Sequence, residues 1–179
     1  MLEKTLVILK PDAVKRNLIG EIISIFEKAN LKIEAMKMLT PEAEKIEKHY
    51  PNSEKWLTIV GEKTMEGYEA LGLNVEKELG TNDKKEIGLM VKKWLVEFMT
   101  SGKVVAMVIS GNSAISKIRK LCGNTMPINA DTGSIRGKYS SDSPDLANKE
   151  KRPVKNLIHA SGEPDEAEFE INLWFPELT

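Results

Sequence analysis

Apolar positions along this chain switch between a period of two and a period near 3.6, and the switches predict its elements. Thr5-Leu6-Val7-Ile8-Leu9 is a short β-rich run that Lys10-Pro11-Asp12 terminates. Over residues 19–29 the apolar side chains fall at Ile19, Ile22, Ile23, Phe26 and Ala29, a helical stripe with Asn30 placed as its C-terminal cap. Residues 31–39 partly alternate and predict a second strand. Thr40-Pro41 has the form of an N-cap and a first-turn proline. The helix it predicts carries Ala43, Ile46 and Tyr50 on one face. His49 points away from that face and reads as structural.

Residues 51–85 change character. They hold Gly61, Gly67, Gly72 and Gly80 and two short helical stretches, around Trp56 and around Tyr68. A longer helix then places Ile87, Met90, Val91, Trp94 and Phe98 on one stripe. Residues 104–109 are continuously apolar, as in a strand buried on both faces. Asn112 is positioned to cap the next helix, whose inner face is Ile115, Ile118 and Cys122. Residues 123–155 show no sustained period, only glycine, proline, serine and charge. A stretch this long is normally a functional loop or a disordered one. Leu157-Ile158 predicts the last strand and residues 164–175 the last helix, opened by Pro164. The core order is βαββαβ, with residues 41–101 as helical decoration between the second and third strands. That order predicts an α+β, ferredoxin-like sandwich: an antiparallel sheet with helices on one face, in one domain over residues 1–179.

Composition narrows the function classes. The chain is 41% hydrophobic and 30% charged, with a formal net charge of −1. Bulk electrostatics therefore favours neither nucleic acid nor a membrane surface, and an anion would have to be met by local cations. The single cysteine, Cys122, excludes an intrachain disulfide and a cysteine metal cluster. No signal peptide and no apolar run of membrane-spanning length is evident, so a cytoplasmic protein is expected.

One of only two histidines, His159, closes the apolar run Leu157-Ile158 and is followed by Ala160-Ser161-Gly162. An imidazole at the end of a buried strand is held rigidly while facing an opening, which suits a nucleophile. Arg119 and Arg136 bracket a glycine-containing loop ahead of it. The planar guanidinium fork matches phosphate oxygens and stays charged. Gly133 to Lys138 is one residue short of a phosphate-binding P-loop, lacks its Ser/Thr and follows no strand, so that motif is rejected. Lys149-x-Lys151-Arg152 reads as a solvated loop.

Lys10-Pro11-Asp12, His49-Tyr50, Arg119, Gly123-x-Thr125-x-Pro127, Gly133-x-Ile135-Arg136-Gly137, Asn156-x-Ile158-His159-x-Ser161 and Leu173-Trp174-Phe175 stand in one order. Together they resemble the nucleoside diphosphate kinase family over residues 4–50 and 94–175. The resemblance implies a ferredoxin-like core and a ping-pong enzyme. His159 would take the γ-phosphoryl of ATP and pass it to a nucleoside diphosphate. It implies that Glu170 orients the imidazole, that Ser161 contacts the same site and that Tyr50 lines the pocket. Lys10, Arg119, Thr125 and Arg136 would form a phosphate clamp, with Lys10 and Asn156 holding the sugar hydroxyls. Magnesium would arrive on the nucleotide with no protein ligands, and the assembly would be a homo-oligomer, a hexamer or another dimer-based form.

The chain also departs from the family pattern. Ala160-Ser161-Gly162 replaces the usual Gly-Ser-Asp, which makes Asp165 the candidate acidic group for water around the magnesium. Residues 51–85 are an insertion where the family usually has a base-stacking aromatic, and residues 140–152 are a second. Residues 123–155 become a long active-site loop on this reading. Two other classes share parts of this pattern. A single-stranded nucleic-acid module of the same strand order needs exposed aromatics on the central strands, which residues 5–9 and 104–109 lack. An idle regulatory relative would be expected to have lost His159, Lys10 or an arginine.

Overall fold

Along β1 (Leu2–Leu9) and β3 (Val104–Asn112) successive side chains point to opposite faces, and both faces are buried over residues 5–9 and 104–111. Val7, Leu9, Val105, Met107 and Ile109 enter one apolar layer, while Leu6, Ile8, Val104, Ala106 and Val108 enter the other. This explains why the two strands read as continuous apolar runs. The structure, a computed structural model, describes residues 2–178.

Four strands form the sheet in the order β2-β3-β1-β4, with β2 spanning Lys32–Leu39 and β4 spanning Ile158–Ala160. All three pairings are antiparallel. This is the ferredoxin-like α+β arrangement expected from the element order. Helix α1 (Pro11–Lys15) follows β1 directly, with Pro11 at its first turn. Helices α2 (Ile19–Lys28) and α7 (Ala114–Cys122), the two core helices of the motif, lie on one face. There Ile22, Phe26, Ile118 and Cys122 meet the first layer. Further helices close the opposite face, where Ile46 of α3 (Ala43–His49), Met99 of α6 (Lys84–Thr100) and Trp174 of α10 (Pro164–Trp174) meet the second layer. Trp174 is fully buried, which stabilises the fold by about 3 kcal/mol.

Several local expectations need correction. The chain stays extended through Glu42, so α3 begins after Pro41 and Ala43 is exposed. The buried side chains of α3 are Ile46 and His49. Asn112 belongs to the end of β3, and Ser113 is the N-cap of α7; the carboxylate of Glu3 accepts the N–H of Ile115 at 3.1 Å. The two short helical stretches around Trp56 and Tyr68 are one helix, α4 (Glu54–Ala70), capped by Ser53 and followed by α5 (Val75–Leu79). Gly61 does not break α4 because it is a contact point. A Cβ there would lie 1.7 Å from the backbone oxygen of Lys84, and one on Gly88 would lie 2.1 Å from that of Leu57. The two glycines let α4 and α6 touch backbone to backbone.

Residues 123–155 are not structureless. They contain α8 (Ile135–Tyr139), capped by Ser134, and α9 (Pro144–Lys149), capped by Ser143. Helices of five and six residues are too short to print a 3.6-residue period. The Tyr68 hydroxyl of α4 donates to the carbonyl of Asn148 at 2.7 Å, and Lys151 donates to the carbonyl of Glu78 at 2.7 Å. The segments read as two insertions thus pack on each other. Arg152 is not solvated either: it forks onto both oxygens of Asp142 at 2.6 and 3.0 Å. No described helix is long and apolar enough to cross a membrane.

Candidate active site

The last strand is set by the first. In β4, His159 pairs with Ile8 of β1, so the central strand fixes its height in the sheet. Just before β4, Leu157 adopts φ 69°, a left-handed conformation costly for a branched side chain. The turn after β1 holds it there from both sides. The N–H of Leu157 donates to Asp12 Oδ2 at 3.0 Å, and its carbonyl accepts from the N–H of Lys10 at 2.8 Å. Asn156 therefore faces Lys10, whose ammonium donates to Asn156 Oδ1 at 2.7 Å; Asn156 Nδ2 donates to the carbonyl of Thr125 at 2.9 Å.

His159 Nε2 lies 2.9 Å from each carboxylate oxygen of Glu170, which α10 presents from behind. The Ser161 hydroxyl, fully buried, donates to Glu170 Oε2 at 2.6 Å. His49 Nδ1 stands 3.2 Å from Oε1, and its ring meets that of His159 edge-on with centroids 4.5 Å apart. Burial pushes the Glu170 carboxyl above its usual range, against the opposing effects of His49 and the Ser161 hydrogen bond. Burial, then the Lys10 ammonium, pushes the His159 pKa down to about 3, so the imidazole is neutral near pH 7. With Nε2 facing a carboxylate, the free lone pair belongs to Nδ1.

Around this imidazole opens a cavity of about 860 Å³ lined by Lys10, Tyr50, Arg119, Thr125, Arg136 and Asn156. Six predicted site residues therefore converge on one space with His159, while Glu170 and Ser161 support it from below. Burial lowers the Lys10 pKa to about 8 and raises that of the Tyr50 hydroxyl. Arg136 is 9% exposed and donates to three carbonyls: Nη1 to Gly123 at 2.7 Å, Nη2 to Ile158 at 2.7 Å and Nε to Asn156 at 3.3 Å. It braces the loop as well as charging the wall. Asp165 does not line the cavity; Glu166 does, with Oε2 accepting the N–H of Gly162 at 2.6 Å.

Sequence reasoning missed an apolar wall, a carboxylate and a second histidine. Trp56 and Trp94, with Val60, Val91 and Leu95, form an apolar wall of the cavity on α4 and α6. Glu166 lies one position beyond the expected acid. His49 reads as structural in the sequence, yet its spacing of three from Ile46 places both on the buried face of α3.

A neutral imidazole backed by a buried carboxylate, facing a cation-lined cavity on a ferredoxin-like sheet, defines a phosphotransferase. The sequence model described as nucleoside diphosphate kinase matches residues 3–58 and 84–179. The chain belongs to the nucleoside diphosphate kinase family. It is 54% identical to the nucleoside diphosphate kinase of Pyrobaculum aerophilum over 98% of this chain and 96% of that one. Identity to that of Methanocaldococcus jannaschii is 38%, over 99% and 96%. The crystal structure of the Pyrobaculum aerophilum NDP kinase superposes with a TM-score of 0.96 at 53% identity, covering 98% and 96% of the two chains. The Borrelia burgdorferi nucleoside-diphosphate kinase, a transition-state mimic with bound vanadate and ADP, gives 0.75 at 33% identity, covering 97% and 87%. Residues 59–83, inside the inserted helices, fall outside the family model.

Proposed function

We propose that the protein transfers the γ-phosphoryl group of a nucleoside triphosphate to a nucleoside diphosphate through a phosphohistidine on Nδ1 of His159. The observation that supports this most is the placement of both Glu170 oxygens 2.9 Å from Nε2, which leaves Nδ1 as the nucleophile. In the first half-reaction the Nδ1 lone pair bonds to the γ-phosphorus, the bond to the bridging oxygen breaks, and the nucleoside diphosphate leaves. The Glu170 carboxylate offsets the positive charge that develops on the ring. In the second, a terminal oxygen of the acceptor diphosphate bonds to phosphorus and the N–P bond breaks.

Lys10, Arg119 and Arg136 compensate charge on the transferring group, the main protein contribution to such chemistry. Thr125 extends the clamp, and Asn156 with Lys10 meets the sugar hydroxyls. Tyr50 lines the pocket that His159 faces, and Ser161 holds Glu170. Magnesium enters as part of the nucleotide substrate. The cavity fits that role, because Glu166 is the carboxylate among its lining residues and the rest of the polar wall is cationic or neutral. The apolar wall of Trp56 and Trp94 supports stacking without base readout, hence broad acceptance of bases.

Nucleotides are the partners on this reading, in the cytoplasm, with neither nucleic acid nor membrane required. A homo-oligomer, a hexamer or another dimer-based form, suits the open edge strand β2, where Met36 and Met38 are 54% and 51% exposed. The test is incubation with γ-labelled ATP and magnesium, followed by a chase with GDP. Acid-labile label on wild type, absent from His159→Ala and moving to GTP, is the expected result. A folded protein that takes no label and forms no GTP would make it an idle relative.

A further inference from the structure

His49 is a buried, titratable group that the phosphoryl-transfer steps do not use. It is 4% exposed, it sits at the end of α3, and it reaches Glu170 from the side opposite Ser161. Each Glu170 oxygen is thereby shared. Oε2 accepts from Ser161 and lies 2.9 Å from His159 Nε2, while Oε1 lies 3.2 Å from His49 Nδ1 and 2.9 Å from His159 Nε2. A carboxylate oxygen accepts and does not donate, so an ionised Glu170 demands a proton on His49 Nδ1.

A second neighbour competes for that nitrogen. The indole N–H of Trp174 points at His49 Nδ1 from 3.4 Å, an arrangement that would suit a lone pair there. The carboxylate oxygen is the closer atom, at 3.2 Å, and the pull of its full negative charge on an N–H outweighs a long neutral bond from the indole. A lone pair on Nδ1 would also face Oε1 with no hydrogen between them. His49 Nε2, buried and without a hydrogen-bond partner, is then the bare acceptor. Leaving an acceptor unpaired costs free energy, and fixing Glu170 offsets that cost.

We propose that His49 is a positioning residue for the phosphoryl transfer proposed above: by donating from Nδ1 to Glu170 it keeps that carboxylate ionised and oriented, and so holds His159 with its proton on Nε2 and its lone pair on Nδ1. The inference rests on the phosphohistidine reading. A protonated Glu170 could no longer accept from His159 on both oxygens, and the ring would lose the restraint that selects its tautomer. The other groups around the cluster do not supply this restraint. Lys10 on the turn after β1, Arg119 on α7 and Arg136 on α8 all bear on His159 as cations, Glu166 of α10 opposes them, and the Tyr50 hydroxyl stays neutral beside Glu170. Among the described residues Ser161 shares the task with His49, and it binds the other oxygen.

The first test uses the wild-type protein without nucleotide. Long-range proton–nitrogen spectra of ¹⁵N-histidine protein identify which nitrogen of each ring is protonated. Opposite tautomers are expected, with the proton on Nδ1 in His49 and on Nε2 in His159. A His49 ring protonated at Nε2 and bare at Nδ1 overturns the proposal, whatever the protein does with ATP. The second test compares phosphoenzyme formation against pH in two variants. His49→Asn keeps an N–H donor near the place of Nδ1, and His49→Phe keeps the ring shape without one.

His49→Phe is expected to form phosphoenzyme about tenfold more slowly at the acid end and to approach wild type at alkaline pH, a shift of about one pH unit in the acid limb. His49→Asn is expected to keep the wild-type limb. A His49→Phe profile that overlays wild type, or that falls by one factor at every pH, overturns the proposal, as does a His49→Asn limb shifted equally far. If His49→Phe does not fold, the spectra and His49→Asn decide. Absence of phosphoenzyme in wild type would instead remove the transfer reaction while leaving the tautomer assignment standing.

Discussion

The ammonium of Lys10 donates to the side-chain oxygen of Asn156 at 2.7 Å, tying the end of the first strand to the segment that enters the last. Burial, then the nearby Arg136, lowers the Lys10 pKa to about 8. Lys10 is therefore charged below that pH and neutral above it. The expected outcome is that kcat/KM for ATP, which reports the free enzyme, declines as pH rises through about 8. Lys10→Met should be slower at pH 7 and lack that limb. The same shift acts on stability with a definite sign. Between about 8 and the ordinary 10.5 the unfolded chain binds the extra proton, so the Lys10 contribution rises with pH. The difference in urea midpoint between wild type and Lys10→Met, followed from pH 7 to pH 10, measures it.

The two cavity arginines should separate by substitution. Arg136 spans three carbonyls at once, which no lysine can do because it lacks the planar fork. Arg136→Lys should lower turnover by more than about tenfold and cost about 1–3 kcal/mol of stability through unpaired buried carbonyls. Arg119 is exposed along the cavity, and Arg119→Ala should lower turnover by a similar factor with an unchanged denaturation midpoint. Steady-state kinetics and urea titration on the same two proteins check both halves.

The order of sheet elements was legible because β1 and β3 are buried on both faces, and only apolar runs satisfy that. The candidate imidazole was legible less from its place at a strand end, where a core histidine is common, than from its order with Lys10, Arg119, Arg136 and Asn156. His49 was missed because the apolar stripe of α3 was phased on Tyr50, which lies at the C-cap where the helical period no longer holds. One helix over Glu54–Ala70 reads as two short stretches in the sequence, which shows the missing side chain of Gly61 but not the Lys84 backbone that requires it to be missing. The helices within residues 123–155 were hidden by their length, shorter than two full turns. Arg136 could be placed at the site by its motif, but its three carbonyl partners come from segments far apart in the chain.

Asp12 and Leu157 carry a third prediction. The left-handed Leu157 persists because Asp12 accepts its N–H and the Lys10 N–H binds its carbonyl. Asp12→Ala should cost about 1–3 kcal/mol, since it strands a part-buried donor. It should also reduce kcat, because His159 lies two residues on and small displacements of a nucleophile are expensive. Asp12→Asn retains a side-chain oxygen acceptor and should lose less on both counts. Equal losses in the two variants would point to the charge of Asp12, acting on Lys10, instead of its hydrogen bond to Leu157. Chemical denaturation and single-turnover phosphorylation of each variant distinguish the two.

The crossing of α4 and α6 connects stability to substrate binding. A Cβ on Gly88 would meet the oxygen, carbonyl carbon and Cα of Leu57 at 2.1, 2.7 and 2.9 Å, all backbone atoms that no rotamer change can move. Gly88→Ala must therefore push α4 away from α6, at a cost of about 1–3 kcal/mol. These helices carry Trp56 and Trp94 on the apolar wall of the cavity, so separating them should raise KM for ATP while leaving the phosphorylated histidine competent and kcat close to wild type. Gly20 supplies the control. It lies in α2 with nothing within 4 Å of an added Cβ, and Gly20→Ala should stabilise by about 0.5–1 kcal/mol with KM unchanged. Urea midpoints and KM values for the two variants decide the matter. A Gly88→Ala protein as stable as wild type, with the same KM, would show that the close approach of the two helices shapes neither the fold nor the cavity.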